Sequence, residues 1–108
     1  MQKIKIALMS FKDLETISSI FSTDFDTFWT IQNLKSELIN PNSYCYIAKI
    51  ENEIVGFIVI WKVIDEMHLN DIVVKKNFRN LGIGSLLLEH VINVCNTMNR
   101  YNIYNIRG

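Results

Sequence analysis

Arg79, Gly82 and Gly84 stand at RxxGxG spacing, directly after a β-branched run ending Ile72, Val73, Val74 and directly before a stretch of helical periodicity. Lys75 and Lys76 add positive charge between the run and the glycines. Strand, glycine-bearing turn and helix is the order in which a chain builds an anion site from its own backbone. Glycine lets the backbone come close to a ligand, and the free amides and positive dipole end of the next helix favour a negative group such as a pyrophosphate. An ordinary strand-to-helix turn with a solvated basic loop would use the same residues. Two other phosphate loops fit worse. The dinucleotide fingerprint requires a third glycine where Leu87 stands, and a P-loop requires Lys followed by Ser or Thr after its last glycine, where this chain has Ser85 and Leu86.

The elements that must position this turn can be read outward from it. Behind it, Ile83, Leu87, Val91, Val94, Cys95 and Met98 recur at three- and four-residue steps with Leu86 beside them, while Glu89, Asn93 and Asn96 lie elsewhere on the wheel. That pattern predicts a long helix with one face on a sheet. Residues 44–50 and 54–61 read as two strands joined by a tight turn at Glu51, Asn52 and Glu53, with Asn taking the left-handed conformation. Gly56 marks a bulge or a close backbone contact within the second. Upstream, residues 3–9 alternate as an opening strand, Ser10 and Asp13 form a capping box, and a helix follows to about Phe21. Residues 22–29 read as a loop, and Thr30 caps a second short helix reaching Leu38 before Pro41.

With 108 residues, nearly half of them apolar, the chain reads as one domain, residues 1–108, with a real core. The formal net charge is zero, so nothing points to nucleic-acid or membrane-surface binding by net electrostatics. The longest apolar run, residues 54–61, is far too short to span a bilayer, and no signal pattern opens the chain; the expectation is a soluble cytoplasmic protein. Cys45 and Cys95 have no CxxC and no histidine at metal-ligand spacing, so they read as core thiols with no metal site.

The stretch VVKKNFRNLGIGSLLLEHVI resembles motif A of the GCN5-related N-acetyltransferases, whose signature [QR]xxGx[GA] lies between the fourth strand and third helix of the fold. The likeness extends upstream through IAKIENEIVGFIVIW and HLNDIVV, and is greatest to the bacterial enzymes that acetylate the amino terminus of a ribosomal protein. It implies an α/β (α+β) fold: a mixed, mostly antiparallel sheet flanked by helices, here lacking the last helix and two strands. It also implies an acetyl-CoA co-substrate. The amides of Asn80, Leu81, Gly82, Ile83, Gly84 and Ser85 would hold the pyrophosphate, the backbone of Ile72, Val73 and Val74 would pair with the pantetheine arm, and an amide freed by a fourth-strand bulge would polarise the thioester. Arg79 and Lys76 would assist by charge alone. Phe25, Phe28 and Trp29 become candidate acceptor contacts, or else cap the core.

Acid and base are less plainly marked. The family's fifth-strand glutamate position falls on Ile106, and its tyrosine beyond Gly108, so the chain reads as C-terminally incomplete. His68 occupies about the place where other branches put a fourth-strand carboxylate base, with Glu66 two residues before it; a reference pKa of about 6.5 suits that work, although a strand histidine is also commonly structural. His90 falls on the long helix, partly exposed, and Asp71, alternating with Ile72, could face either side. An α-amino group, with pKa about 7.7 to 8.0, is far more often neutral than a lysine at about 10.4, so a protein amino terminus is the favoured acceptor, with a small amine beside it. The other class of reading is a catalytically silent acyl-CoA-binding fragment or subunit. The open sheet edge at the far end would allow a homodimer.

Overall fold

The computed structural model describes residues 3–64, 66–98 and 102–104. In chain order they form β1 (Ile4–Leu8), α1 (Phe11–Ile17), α2 (Phe21–Asp24), α3 (Ile31–Ile39), β2 (Ser43–Ile50), β3 (Glu53–Val63), β4 (Glu66–Val74), one 3-10 turn (Lys76–Phe78), α4 (Ile83–Met98) and β5 (Asn102–Tyr104). The five strands lie in sequence order in one sheet. All neighbours are antiparallel except β4 and β5, which run parallel and pair only through Glu66, Met67 and His68 with Asn102, Ile103 and Tyr104. Ile106 lies outside the described residues.

The helices begin where polar side chains can take orphan amides. Ser10 accepts from the Asp13 amide at 3.3 Å while the Asp13 carboxylate accepts from the Ser10 amide at 2.8 Å. Thr30 and Asn33 repeat the arrangement at the start of α3. The expected first helix is cut short: α1 ends at Ile17, and the Ser18 hydroxyl donates to the Glu15 carbonyl, offering the backbone a local alternative to another helical turn. The chain then re-enters a single helical turn at Phe21–Asp24, inside the segment expected to be a loop. At the β2–β3 turn it is Glu51, not Asn52, that takes the left-handed conformation, with φ 56°.

Two cores form, one on each face of the sheet. Leu14, Ile17, Phe21, Phe25 and Leu34 from the α1–α3 side meet Phe57, Val59 and Val73. Ile83, Leu87, Val91 and Cys95 of α4 meet Ala48, Val55, Ile58, Ile60, Met67 and Leu69 on the other side. Burial on both faces explains the unbroken apolar run of β3, where residues 54–60 are all buried. Val94 is only partly buried and Leu86 is exposed, so the α4 stripe is narrower than its sequence pattern.

Both expected irregularities in the sheet are present, and both decide which side chains face which core. In β3 the register slips between Ala48 and Lys49, so that Val55 is the extra residue and Val55 and Gly56 both turn toward α4. In β4 the slip lies between Val59 and Ile60, leaving Asn70 as the extra residue. Leu69, Ile72 and Val74 therefore pack toward α4, while Val73 joins the opposite core.

Gly56 sets how closely α4 approaches. A Cβ there would lie 3.1 Å from the Val73 carbonyl oxygen and 3.3 Å from Ile83 Cγ2, at the first turn of α4. Gly56→Ala should therefore destabilise the fold by about 1 to 3 kcal/mol, the usual cost of overpacking. Urea unfolding would read this as a lower midpoint; an unchanged midpoint would mean that α4 lifts off the sheet freely.

Candidate functional site

The turn after β4 is built by two left-handed residues and a helix start. Asn80 has φ 64° and Gly82 φ 84°. A Cβ on Gly82 would meet no atom within 4 Å, so conformation rather than space calls for glycine there. Gly84 is different: its added Cβ would make ordinary contact with Ile72 Cγ2 at 3.5 Å, placing this residue against β4. The Leu86 amide bonds back to the Gly82 carbonyl at 3.1 Å. Ile83, Gly84 and Ser85 thus occupy the first turn of α4, where amides have no partner within the helix. Asn80 and Leu81 precede them on an exposed loop.

The cations expected to serve this loop are mostly engaged elsewhere. Lys75 is buried, with Nζ 2.7 Å from Glu53 and 3.3 Å from Asp24. The hydrogen bond to Glu53 raises its pKa above the usual lysine value. In the lysine's own titration that contribution is complete below the unfolded pKa and is lost as pH rises through the higher folded one, so Lys75 joins α2, the β2–β3 turn and β4 throughout the neutral range. Arg79 donates from Nε to the Val74 carbonyl and from Nη2 to the Phe25 carbonyl, each at 2.9 Å. Instead of acting by charge alone, it ties the loop to the end of β4 and to the end of α2. Lys76 is exposed and carries its charge at the surface.

The outer edge of β4 faces the space beside the loop. The Lys75 amide bonds to the Val55 carbonyl on β3, and backbone groups alternate in direction along a strand, so those of Val73 point to β3 and those of Ile72 and Val74 point away. β5 covers only the first three residues of β4, leaving this edge without a partner strand among the described residues. A cavity of ≈ 450 Å³ lies along it, lined by Asp26, Thr27, Phe28, Asp71, Ile72, Val73, Val74, Arg79 and Asn80. A second cavity, ≈ 360 Å³, is lined by Phe28, Trp29, Asn33, Ser36, Glu37, Asn70 and Asp71. Phe28 and Asp71 line both, so the two spaces meet at these residues.

The aromatic pair divides between the two roles foreseen for it. Phe28 is fully exposed at the junction, while Trp29 packs edge-on to Phe57 at 6.4 Å and donates from Nε1 to Asp71 Oδ2 at 2.9 Å. Phe25, by contrast, is entirely buried and belongs to the core. His68 Nε2 lies 2.8 Å from Glu66 Oε1, and neither residue is among those lining the two cavities; His68 pairs across the ladder with Trp61. His90 packs its ring against Tyr46 at 5.0 Å, away from both spaces. Burial pushes the Cys45 thiol up to about 11, so it stays protonated at neutral pH, as a core thiol should.

Two site residues had no sufficient signal in the sequence. Glu37 accepts from Trp61 Nε1 at 2.6 Å and from the Ser43 hydroxyl at 2.7 Å, which holds its carboxylate in the wall of the second cavity. Asp71 could not be oriented by alternation, because the extra residue next to it is what determines its face. Among the described residues no group of His, Cys, Asp and Glu could hold a metal ion.

Comparison with known proteins agrees with this architecture. Residues 12–106 match the model of the Acetyltransferase (GNAT) family. A putative ribosomal protein bS18 alanine N-acetyltransferase of Bacillus subtilis is 23% identical over 94 residues, covering 86% of this chain and 62% of that protein. An uncharacterized N-acetyltransferase of Methanocaldococcus jannaschii is 32% identical over 97 residues, covering 82% of this chain and 56% of its own length. This chain therefore spans only about three-fifths of these relatives. The ribosomal-protein-S18-alanine N-acetyltransferase of Escherichia coli superposes with a TM-score of 0.79 at 20% identity, over 94% of this chain and 64% of that one. The PaiA N-acetyltransferase of Thermoplasma acidophilum, solved in complex with coenzyme A, gives 0.73 at 17% identity, over 97% and 80%. Sheet order, the bulged β4, the glycine turn before α4 and the matched family model together show that this chain belongs to the GNAT acetyltransferase family.

Proposed function

We propose that the chain is an acetyl-CoA-dependent N-acetyltransferase that acts on a primary amine, with a protein amino terminus as the favoured acceptor. The observation that carries this reading is the continuity of the outward β4 edge with Arg79 and Asn80, the loop residues that lead into α4, along one ≈ 450 Å³ cavity. Backbone donors and acceptors of Ile72 and Val74 suit an extended amide-bearing arm, and the amides of Ile83, Gly84 and Ser85 suit the diphosphate at its end. The second cavity opens at Asp71 and Phe28, where the thioester would lie, and gives an amine its approach. A neutral amine there attacks the thioester carbonyl carbon; the C–N bond forms, the C–S bond breaks, and the thiolate takes the proton that the nitrogen gives up. Backbone amides near the Asn70 bulge are the donors placed to stabilise the oxyanion. The α-amino acceptor is favoured because it reaches the neutral form near physiological pH without a strong base. The names of the Bacillus subtilis and Escherichia coli proteins agree with that acceptor class.

A second reading, acyl-CoA binding without turnover, draws support from the placement of His68 and Glu66. Their mutual contact outside both cavities leaves the candidate base away from the junction. Thermal unfolding with CoA and turnover of acetyl-CoA with an alanine-initiated peptide separate the two: stabilisation with turnover supports transfer, and stabilisation without it supports binding alone. No stabilisation of the parent protein would discard both. Gly82→Val should abolish the CoA-induced rise in melting temperature, because a β-branched residue resists φ 84°, whereas Gly84→Ala, with ordinary contacts, should retain it.

Arg79→Ala gives an independent check on the loop. It should lower stability without ligand by about 1.5 to 3 kcal/mol, the scale of a charged hydrogen bond, and weaken CoA binding through the displaced loop. If the ligand-free midpoint stayed put and only CoA affinity fell, the side chain would be acting on the phosphates directly.

A further inference from the structure

The outward amide of Ile72, where the donor's arm would pair, already has a partner. It donates to Asp71 Oδ1 at 2.9 Å, while Asp71 Oδ2 accepts from Trp29 Nε1 at 2.9 Å. One carboxylate thus bridges the β4 edge and the indole that walls the second cavity. A carboxylate oxygen and a ligand's amide carbonyl are both acceptors, and a single N–H directed along the edge serves one of them well at a time. A donor that pairs with Ile72 must therefore displace Asp71 Oδ1.

Trp29 determines where the displaced oxygen goes. Its ring is held edge-on to Phe57, so its Nε1 remains a fixed tether for Oδ2. The carboxylate then turns about that bond instead of leaving the site. The space open to it is the second cavity, which Asp71 lines with Asn70, Trp29 and Glu37. An ionised carboxylate there has accepting capacity and no donor, a match for the N–H groups of an amine.

We propose that Asp71 is a two-position positioning residue that couples the two substrates. Without donor it caps the Ile72 amide; with donor bound it swings into the second cavity and receives a cationic primary amine. The inference rests on the proposed function and adds to it the residue through which the two substrates are coupled. Asp71 holds the nitrogen toward the thioester and is itself unchanged by the reaction. A docked ammonium gives one proton to water before its lone pair attacks.

Coupling of this kind is reciprocal: CoA must raise the affinity for amine by the same factor as amine raises the affinity for CoA. Isothermal titration of the full chain with CoA and with an alanine-initiated tetrapeptide, each alone and in the presence of the other, measures both factors, with the N-acetylated tetrapeptide as control. The expected result is mutual tightening of about tenfold, within the usual range of such couplings, and none with the control peptide. Asp71→Ala should bind CoA more tightly than the parent in the absence of peptide, since the competitor for Ile72 is gone, and should lose the coupling. Asp71→Asn keeps an oxygen for Trp29 and so guards against misfolding; it too should lose the coupling. Parent protein that binds CoA but shows no mutual tightening, or Asp71→Asn with the tightening intact, overturns the inference alone. Parent protein that binds no CoA overturns it together with the proposed function.

Discussion

A strand inside a sheet has to satisfy backbone groups on two edges, and among the described residues β4 has a neighbour on its second edge for only three positions. The rest of the site follows from how the remaining edge is completed. Asp71 takes the Ile72 amide and Arg79 takes the Val74 carbonyl, one from within the strand and one from the loop beyond it. Both are side-chain substitutes for a strand, each closing one backbone group of that edge with a charged hydrogen bond. An edge completed by a neighbouring strand would be closed to a ligand. An edge left wholly bare would invite pairing with another chain.

The position of this edge depends on packing far from it. Gly56 lets the first turn of α4 settle against β3 and β4, and the extra residue Val55 turns two successive positions toward that helix. Lys75 holds the loop's first residue down by its ion pairs with Asp24 and Glu53, while Arg79 holds its end to the Phe25 carbonyl. Phe25 is in turn fixed by Phe21 and Phe57, with ring centroids 5.4 Å and 6.0 Å away. The aromatic core on one face of the sheet and the aliphatic core on the other therefore meet at the same turn. Most of the loop's charge is used to place its backbone.

What could be read from the residues was whatever local chemistry decides alone. The capping pair Ser10 and Asp13, the β2–β3 hairpin, the periodic stripe of α4 and the glycine turn each depend on neighbours within a few positions, and each is present in the structure. The first helix was read past its end because its apolar spacing continues to Phe21, while the Ser18 hydroxyl interrupts the backbone pattern. Left-handed Glu51 shows the same limit: Asn is the better intrinsic candidate, but the strand register around the two-residue turn selects its neighbour. In the sequence Arg79 presents only its charge, since nothing local reveals that a carbonyl from residue 25 lies within its reach. Alternation alone gives Asp71 no face, because a single extra residue in β4 reverses every face assignment before it.

These placements change what kind of anion site the turn can be. With Lys75 paired to two carboxylates and Arg79 bonded to carbonyls, the exposed Lys76 supplies charge from the surface only, where salt screens it within about 10 Å at moderate ionic strength. In the function proposed above, recognition falls to directed amides at the start of α4, whose partial charges are fixed by the helix and need no side chain to be ordered. Such a site discriminates by geometry: it favours a group that presents its oxygens in line with the helix start while the attached chain runs along the β4 edge. A basic patch would hold any polyanion, and a molecule with zero formal net charge has no long-range field to gather one. The glycine at φ 84° is the point at which both requirements meet, because it turns the chain from the strand's edge into the helix's first amides.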